Sequence, residues 1–123
     1  MKVLALDFGP ARTGIAVSDP TGTIARPLGV VERAATDAGL AQLRAVIARE
    51  APERVVVGLP LTLRGEHGGQ AQETERFVER LRGAIEVPVE LFDERFTSVL
   101  ADGDDARAAA HLLASYLAWS DER

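Results

Sequence analysis

The chain has 123 residues, of which 46% are hydrophobic and 27% charged, with a net charge of −5 and no cysteine. This composition is typical of one globular domain over 1–123, and it excludes a thiol nucleophile and a cysteine-based metal site. Because no run of about 18 apolar residues occurs and the first residues enter a strand, we expect a cytoplasmic protein with no membrane partner.

The first third of the chain predicts three antiparallel strands. Apolar residues at 3–8 indicate a buried strand, and after a tight turn the segment 14–18 indicates a second one. The residue types of Asp19–Gly22 are those of a type I turn, which leads into a third strand over 23–31. Pro27 has no backbone N–H to donate, so this third strand is expected at the edge of the sheet.

Helices and strands then alternate along the rest of the chain, so that the order βββαβαβα predicts an α/β fold. We expect a mixed five-stranded sheet flanked by helices, with three antiparallel strands followed by strands parallel to the first. The later elements are a helix capped by Thr36 or Asp37 and ending before Pro52, a strand at 55–57, a helix from Gln70, a strand at 87–92 and a helix from Asp105.

Three acidic positions fall where these elements end or begin. Asp7 lies at the end of the apolar run of the first strand, Asp93 and Glu94 follow the last strand, and Asp105 heads the apolar face of the last helix. Ligands in such folds bind at the carboxyl ends of parallel strands. Crowded carboxylates need a counter-cation, and oxygen ligands without cysteine suit Mg²⁺ or Mn²⁺. The pattern predicts an acidic metal site able to hydrolyse a phosphodiester.

Each acidic position also has a plain structural interpretation. Asp7 is a candidate for a structural hydrogen bond, and Asp105 for a helix N-cap. Asp93 and Glu94 are candidates for a solvated strand end. The convergence of all three positions on one sheet edge favours the metal site, and it depends on the predicted topology.

Four further residues near the acidic positions are candidates for substrate binding. Arg12 and Arg95 could hold a phosphate, or else form surface salt bridges. Gly9 and Gly58 could let a nucleic-acid backbone approach closely, although each also suits a turn. The net charge of −5 argues against a protein that coats nucleic acid through its overall field, but not against a nuclease.

Six blocks follow one another along nearly the whole chain. They are Leu6-Asp7-Phe8-Gly9 with Arg12 and Gly14, Ala16–Asp19, Ala25–Leu28, Val57–Leu61, Asp93–Ser98, and Asp105 before Ala108-Ala109. Together they closely resemble the YqgF family, also called RuvX, which comprises Holliday-junction-resolvase-like proteins and pre-16S ribosomal RNA nucleases.

The resemblance implies an RNase H-like fold and a divalent-metal-dependent nuclease that matures the 5′ end of pre-16S ribosomal RNA or cleaves RNA or branched DNA. It also implies precursor ribosomal RNA, branched DNA and the ribosome as partners of a monomer or homodimer. By motif, the catalytic residues are Asp7, Asp93, Glu94 and Asp105, and Thr97 joins the substrate-binding residues. Asp7, Glu94 and Asp105 would bind Mg²⁺ or Mn²⁺. We favour Glu94 over Asp93, although alternation near a strand end does not decide between them.

The chain departs from the family before Asp105, where only 99–104 intervene in place of a longer segment that often contains glycine and lysine. Two other functions remain open. A non-catalytic binding module for ribosome assembly or transcription would suit the acidic surface and the short segment. An ATP-binding phosphotransferase shares an Asp-x-Gly phosphate loop, but such enzymes need two domains around the nucleotide.

Overall fold

The structure, a computed structural model, describes residues 1–61, 64–94 and 105–121. The order of strands and helices agrees with the sequence prediction. The elements are β1 (Val3–Asp7), β2 (Arg12–Ser18), β3 (Ala25–Glu32), α1 (Asp37–Glu50), β4 (Arg54–Leu59), α2 (Gly69–Ala84), β5 (Val89–Asp93) and α3 (Asp105–Asp121).

The strands form one mixed sheet in the order β3-β2-β1-β4-β5. The β1–β2 and β2–β3 pairs are antiparallel, whereas β1–β4 and β4–β5 are parallel. The predicted mixed five-stranded sheet is therefore confirmed. Pro27 lies in β3 at the edge of the sheet, as its missing N–H requires.

Side chains that alternate along the strands divide the core between two faces of the sheet. On one face, Leu4, Leu6 and Val57 pack against α1 and α2. On the other face, Val3 and Ala5 pack against α3, together with Val56, Phe92 and Tyr116. The central strand β1 is thus covered on both faces. Its carboxyl end, where Asp7 lies, is the part of the strand that is partly exposed to solvent.

Several boundaries differ from the sequence prediction: those of β1, β4, α2 and β5 differ by one or two residues, and the starts of β2 and β3 differ for identifiable local reasons. β2 begins at Arg12 rather than 14 because pairing with β3 continues through Arg12 and Glu32. β3 begins at Ala25 rather than 23 because the Asp19 carboxylate accepts the backbone N–H groups of Thr23 and Ile24 at 2.8 and 2.7 Å. These amides are used by the turn and are not available to the sheet.

The helices follow ordinary rules of capping and hydrophobicity. Thr36, rather than Asp37, is the N-cap of α1, and its side-chain oxygen accepts the Gly39 N–H at 3.1 Å. Within the described ranges, none of the helices is both long and apolar enough to cross a membrane.

Candidate active site

Asp7 is the last residue of the central strand β1, and it is only partly exposed. It pairs with Gly14 of β2 on one side. On the other side Leu6 pairs with Val57, which places Gly58 of β4 at the level of Asp7. Strand alternation puts Asp7 on the same face as Val3 and Ala5, the face covered by α3.

Glu94 directly follows β5, two strands away from Asp7, and yet the two side chains form a hydrogen bond. The Glu94 side chain reaches Asp7 by lying over Gly58 of the intervening strand. A Cβ atom at Gly58 would lie only 2.7 Å from Glu94 Cγ and 2.9 Å from Glu94 Cδ. Glu94 therefore occupies the space that a side chain at 58 would need.

Asp93 lies on the opposite face from its neighbour Phe92, which packs against α3. Alternation therefore places it on the face away from Asp7, and its charge contributes to raising the pKa of Glu94. The structure brings Glu94 into contact with Asp7.

Asp105 is the first residue of α3, and its backbone packs against Gly14. A Cβ atom at Gly14 would overlap the Asp105 carbonyl group and lie 3.1 Å from the Ala106 nitrogen. The Asp105 carboxylate forms a salt bridge with Arg12, whose Nε lies 3.0 Å from Asp105 Oδ2. Its charge also acts on Asp7 and raises the pKa of that carboxyl.

The carboxyl groups of Asp7 and Glu94 resist ionising together. Burial is the main cause that raises the pKa of Glu94 to about 7, and the charge of Asp7 and their hydrogen bond raise it further. Burial also raises the pKa of Asp7, while the hydrogen bond from Glu94 opposes this change. Near neutral pH and without a cation, the pair therefore holds a proton between its two carboxyl groups.

The donor set at this edge fits a hard divalent cation. In the ranges that the structure describes, no three His, Cys, Asp or Glu side chains already form a metal-binding group, and Arg12 holds Asp105. Mg²⁺ in proteins keeps several water ligands and is bound through one or two carboxylates. Asp7 and Glu94 provide such a pair, and replacing their shared proton by a cation would relieve the repulsion between them.

A small cavity of about 130 Å³ opens beside the Asp7–Glu94 pair. Phe8 forms part of one wall and stacks on Phe77 of α2, with ring centroids 4.3 Å apart. Residues from the first turns of α2 also line the cavity. The residues around the cavity are Asp7, Phe8, Pro10, Pro60, Gln70, Glu73, Thr74 and Glu94.

Sequence reasoning missed Gln70, Glu73 and Thr74, because a polar segment after a glycine-rich stretch looked like an ordinary helix start. The available signal was the βα connection itself. A helix that follows a parallel strand begins at the carboxyl edge of the sheet, which is the edge where Asp7 lies.

The predicted substrate-binding residues lie in different surroundings, and two of them fall outside the described part of the chain. Arg12 is mostly exposed beside Asp105. Gly9 lies in the β1–β2 turn, where a Cβ atom would be 2.6 Å from the Arg12 carbonyl oxygen. Over Gly58 the space is filled by Glu94. Arg95 and Thr97 lie outside the described residues.

Comparison with known sequences gives a match to one family over nearly the whole chain. The model of the RuvX family, described as Holliday junction resolvase, matches residues 1–118. A protein of Chloroflexus aggregans named "Putative pre-16S rRNA nuclease" is 47% identical over 100 residues, which cover 81% of this chain and 70% of that protein. A protein of the same name from Chloroflexus aurantiacus is 46% identical, with 81% and 65% covered. The chain thus matches about two thirds of the length of these relatives.

Comparison with solved structures identifies the fold. RuvC of T. thermophilus, in complex with a Holliday junction substrate, superposes with a TM-score of 0.67 and 16% sequence identity. The superposition covers 99% of this chain and 96% of RuvC. The RNase H-like fold expected from the sequence is therefore confirmed.

Proposed function

We propose that this chain, which belongs to the RuvX family, is a divalent-metal-dependent nuclease that hydrolyses phosphodiester bonds. The observation that carries the proposal is the hydrogen-bonded pair Asp7 and Glu94, which meets across an intervening strand at the carboxyl edge of the sheet. Asp105 adds a third carboxylate whose charge acts on Asp7. Such a costly concentration of acidic groups is typical of a site that binds a cation.

Each residue of the site has a defined task in this proposal. Asp7 and Glu94 would hold Mg²⁺ or Mn²⁺ through carboxylate oxygens, and Asp105, which is paired with Arg12 in this structure, would be available as a third ligand if that salt bridge opened. The bound cation supplies Lewis acidity and lowers the pKa of a bound water. The Arg12 side chain is 63% exposed beside Asp105, so its guanidinium is placed to exchange that carboxylate for a substrate phosphate.

The proposed substrate is the 5′ region of precursor 16S ribosomal RNA, with branched DNA as the second candidate. The relatives named as pre-16S rRNA nucleases support RNA, and the RuvX family description supports branched DNA. The net charge of −5 disfavours tight binding to any nucleic acid through the overall field. Recognition is therefore expected to depend on local contacts at the sheet edge and on the cavity beside Asp7.

A cleavage assay on three end-labelled substrates tests this proposal. The substrates are precursor 16S RNA, an unstructured single-stranded RNA and a four-way DNA junction, each with Mg²⁺, Mn²⁺ or EDTA. We expect metal-dependent products from the precursor RNA that disappear in Asp7→Asn, whereas Glu79→Gln on the exposed face of α2 cleaves like wild type. Absence of products from all substrates with either metal would refute the proposal and favour a non-catalytic binding role in ribosome assembly.

A further inference from the structure

The two acidic side chains that meet at this edge belong to strands that are not neighbours. β4 lies between β1, which carries Asp7, and β5, which precedes Glu94. Adjacent strands are about 4.8 Å apart, so β1 and β5 are separated by about twice that distance. A side chain that joins the two must therefore cross the face of β4.

Gly58 is the β4 residue over which Glu94 crosses. It lies at the level of Asp7, because Leu6 pairs with Val57, and it pairs with Phe92 of β5 on its other side. It shares a face of the sheet with Val56, which is fully buried beneath α3. Any side chain at 58 would thus point toward the space that the Glu94 side chain occupies.

We propose, building on the nuclease function above, that Gly58 is a positioning residue whose missing side chain lets Glu94 reach Asp7. A Cβ atom there would lie 2.7 Å from Glu94 Cγ and 2.9 Å from Glu94 Cδ, which is closer than carbon atoms of packed side chains approach. The contact is with a flexible side chain rather than with backbone. A methyl group at 58 would therefore displace Glu94 and leave the strand in place.

Gly14 has the matching position on the other side of Asp7. It pairs with Asp7 across β1 and β2, and its missing side chain leaves room for the backbone of Asp105. Gly58 of β4 thus leaves room for Glu94, and Gly14 of β2 leaves room for Asp105. The sequence alone had suggested a different use for Gly58, namely close approach of a nucleic-acid backbone.

Gly58→Ala, Glu94→Ala and the double variant test this role, with Gly29→Ala as the matched control. Gly29 is also in a strand of this sheet, and a Cβ atom there would meet no atom within 4 Å. Binding of Mn²⁺ is measured by electron paramagnetic resonance. We expect Gly58→Ala to weaken Mn²⁺ binding by about 10- to 100-fold, as loss of a supporting residue does, while Gly29→Ala binds like wild type. Adding Gly58→Ala to Glu94→Ala should weaken binding no further.

Urea unfolding of the same variants in EDTA gives a readout that needs no metal. Gly58→Ala should lower the unfolding midpoint more in the wild-type background than in the Glu94→Ala background, because only the former holds the Glu94 side chain over residue 58. A general effect on the strand would be the same in both backgrounds. Equal effects on the midpoint in the two backgrounds, or wild-type Mn²⁺ affinity in Gly58→Ala, would overturn the inference.

The two proposals fail separately. If the wild-type protein bound no Mn²⁺ while the midpoints still showed coupling between residues 58 and 94, the nuclease site would be wrong and the positioning role of Gly58 would stand.

Discussion

Replacing Glu94 by Gln should stabilise the metal-free protein at alkaline pH. Burial and the neighbouring Asp7 raise the pKa of Glu94 from 4.5 to about 7 in the folded state. Each pKa unit corresponds to about 1.4 kcal/mol, so ionisation of Glu94 costs the folded state at most about 3.5 kcal/mol. Because Glu94 keeps some contact with solvent and shares its proton with Asp7, we expect a gain of about 1–3 kcal/mol from Glu94→Gln.

The pH dependence of this gain has a definite sign. Below the unfolded-state pKa of 4.5, Glu94 is protonated in both states and costs nothing. As the pH rises toward 7, the unfolded chain releases this proton first, so the wild type loses stability and the loss is complete above the folded-state pKa. Gln has no proton to lose, and its amide can donate to Asp7 as the protonated Glu94 does.

Urea unfolding in EDTA at about pH 5 and about pH 8 measures the difference. Glu94→Gln should unfold at a higher urea concentration than wild type at the higher pH, and close to wild type at the lower pH. Glu79→Gln is the control, because Glu79 is an exposed residue of α2. An equal effect of Glu94→Gln at both pH values, or a loss of stability at the higher pH, would refute the electrostatic description of the site.

Three further substitutions test individual contacts of the fold by urea unfolding. Thr13→Val should raise the free energy of unfolding by about 1 kcal/mol, because the buried Thr13 hydroxyl has no hydrogen-bond partner in the described ranges; a decrease would contradict this. Thr36→Ala should lower it by about 1 kcal/mol through loss of the bond to the Gly39 N–H, and an unchanged value would speak against the cap. Gly14→Ala should lower it by about 1–3 kcal/mol, because the Asp105 carbonyl group occupies the place of the new methyl group; wild-type stability would show that α3 packs elsewhere.

Much of the fold could be predicted from the sequence because local signals and tertiary structure agree. The apolar run before Asp7 is a strand buried on both faces, and Pro27 lies in an edge strand as its missing N–H requires. The start of β3 could not be predicted, since the Asp19 carboxylate binds the amides of Thr23 and Ile24 that would otherwise begin the strand.

The places of Asp7, Glu94 and Asp105 at the ends of elements could be predicted from the sequence, whereas the contacts between them could not. The catalytic role of these residues stays a prediction. The sequence alone did not separate Glu94 from Asp93, because pairing with β4 sets where β5 ends and which face each side chain takes. Only a side chain on the face of α3 can cross β4 to Asp7. That crossing depends on Gly58, whose role follows from the register between strands far apart in sequence.

The central claim is that Asp7, Glu94 and Asp105 act as one metal-dependent site, and cleavage by single and double variants tests it most directly. The measurement is the rate of Mn²⁺-dependent cleavage of precursor 16S RNA by Asp7→Asn, Glu94→Gln, Asp105→Asn and the Asp7→Asn/Glu94→Gln pair. Groups that act as a unit have strongly non-additive effects, so each single variant should lose nearly all activity and the pair should lose little more. Wild-type rates in any of the three single variants would contradict the account.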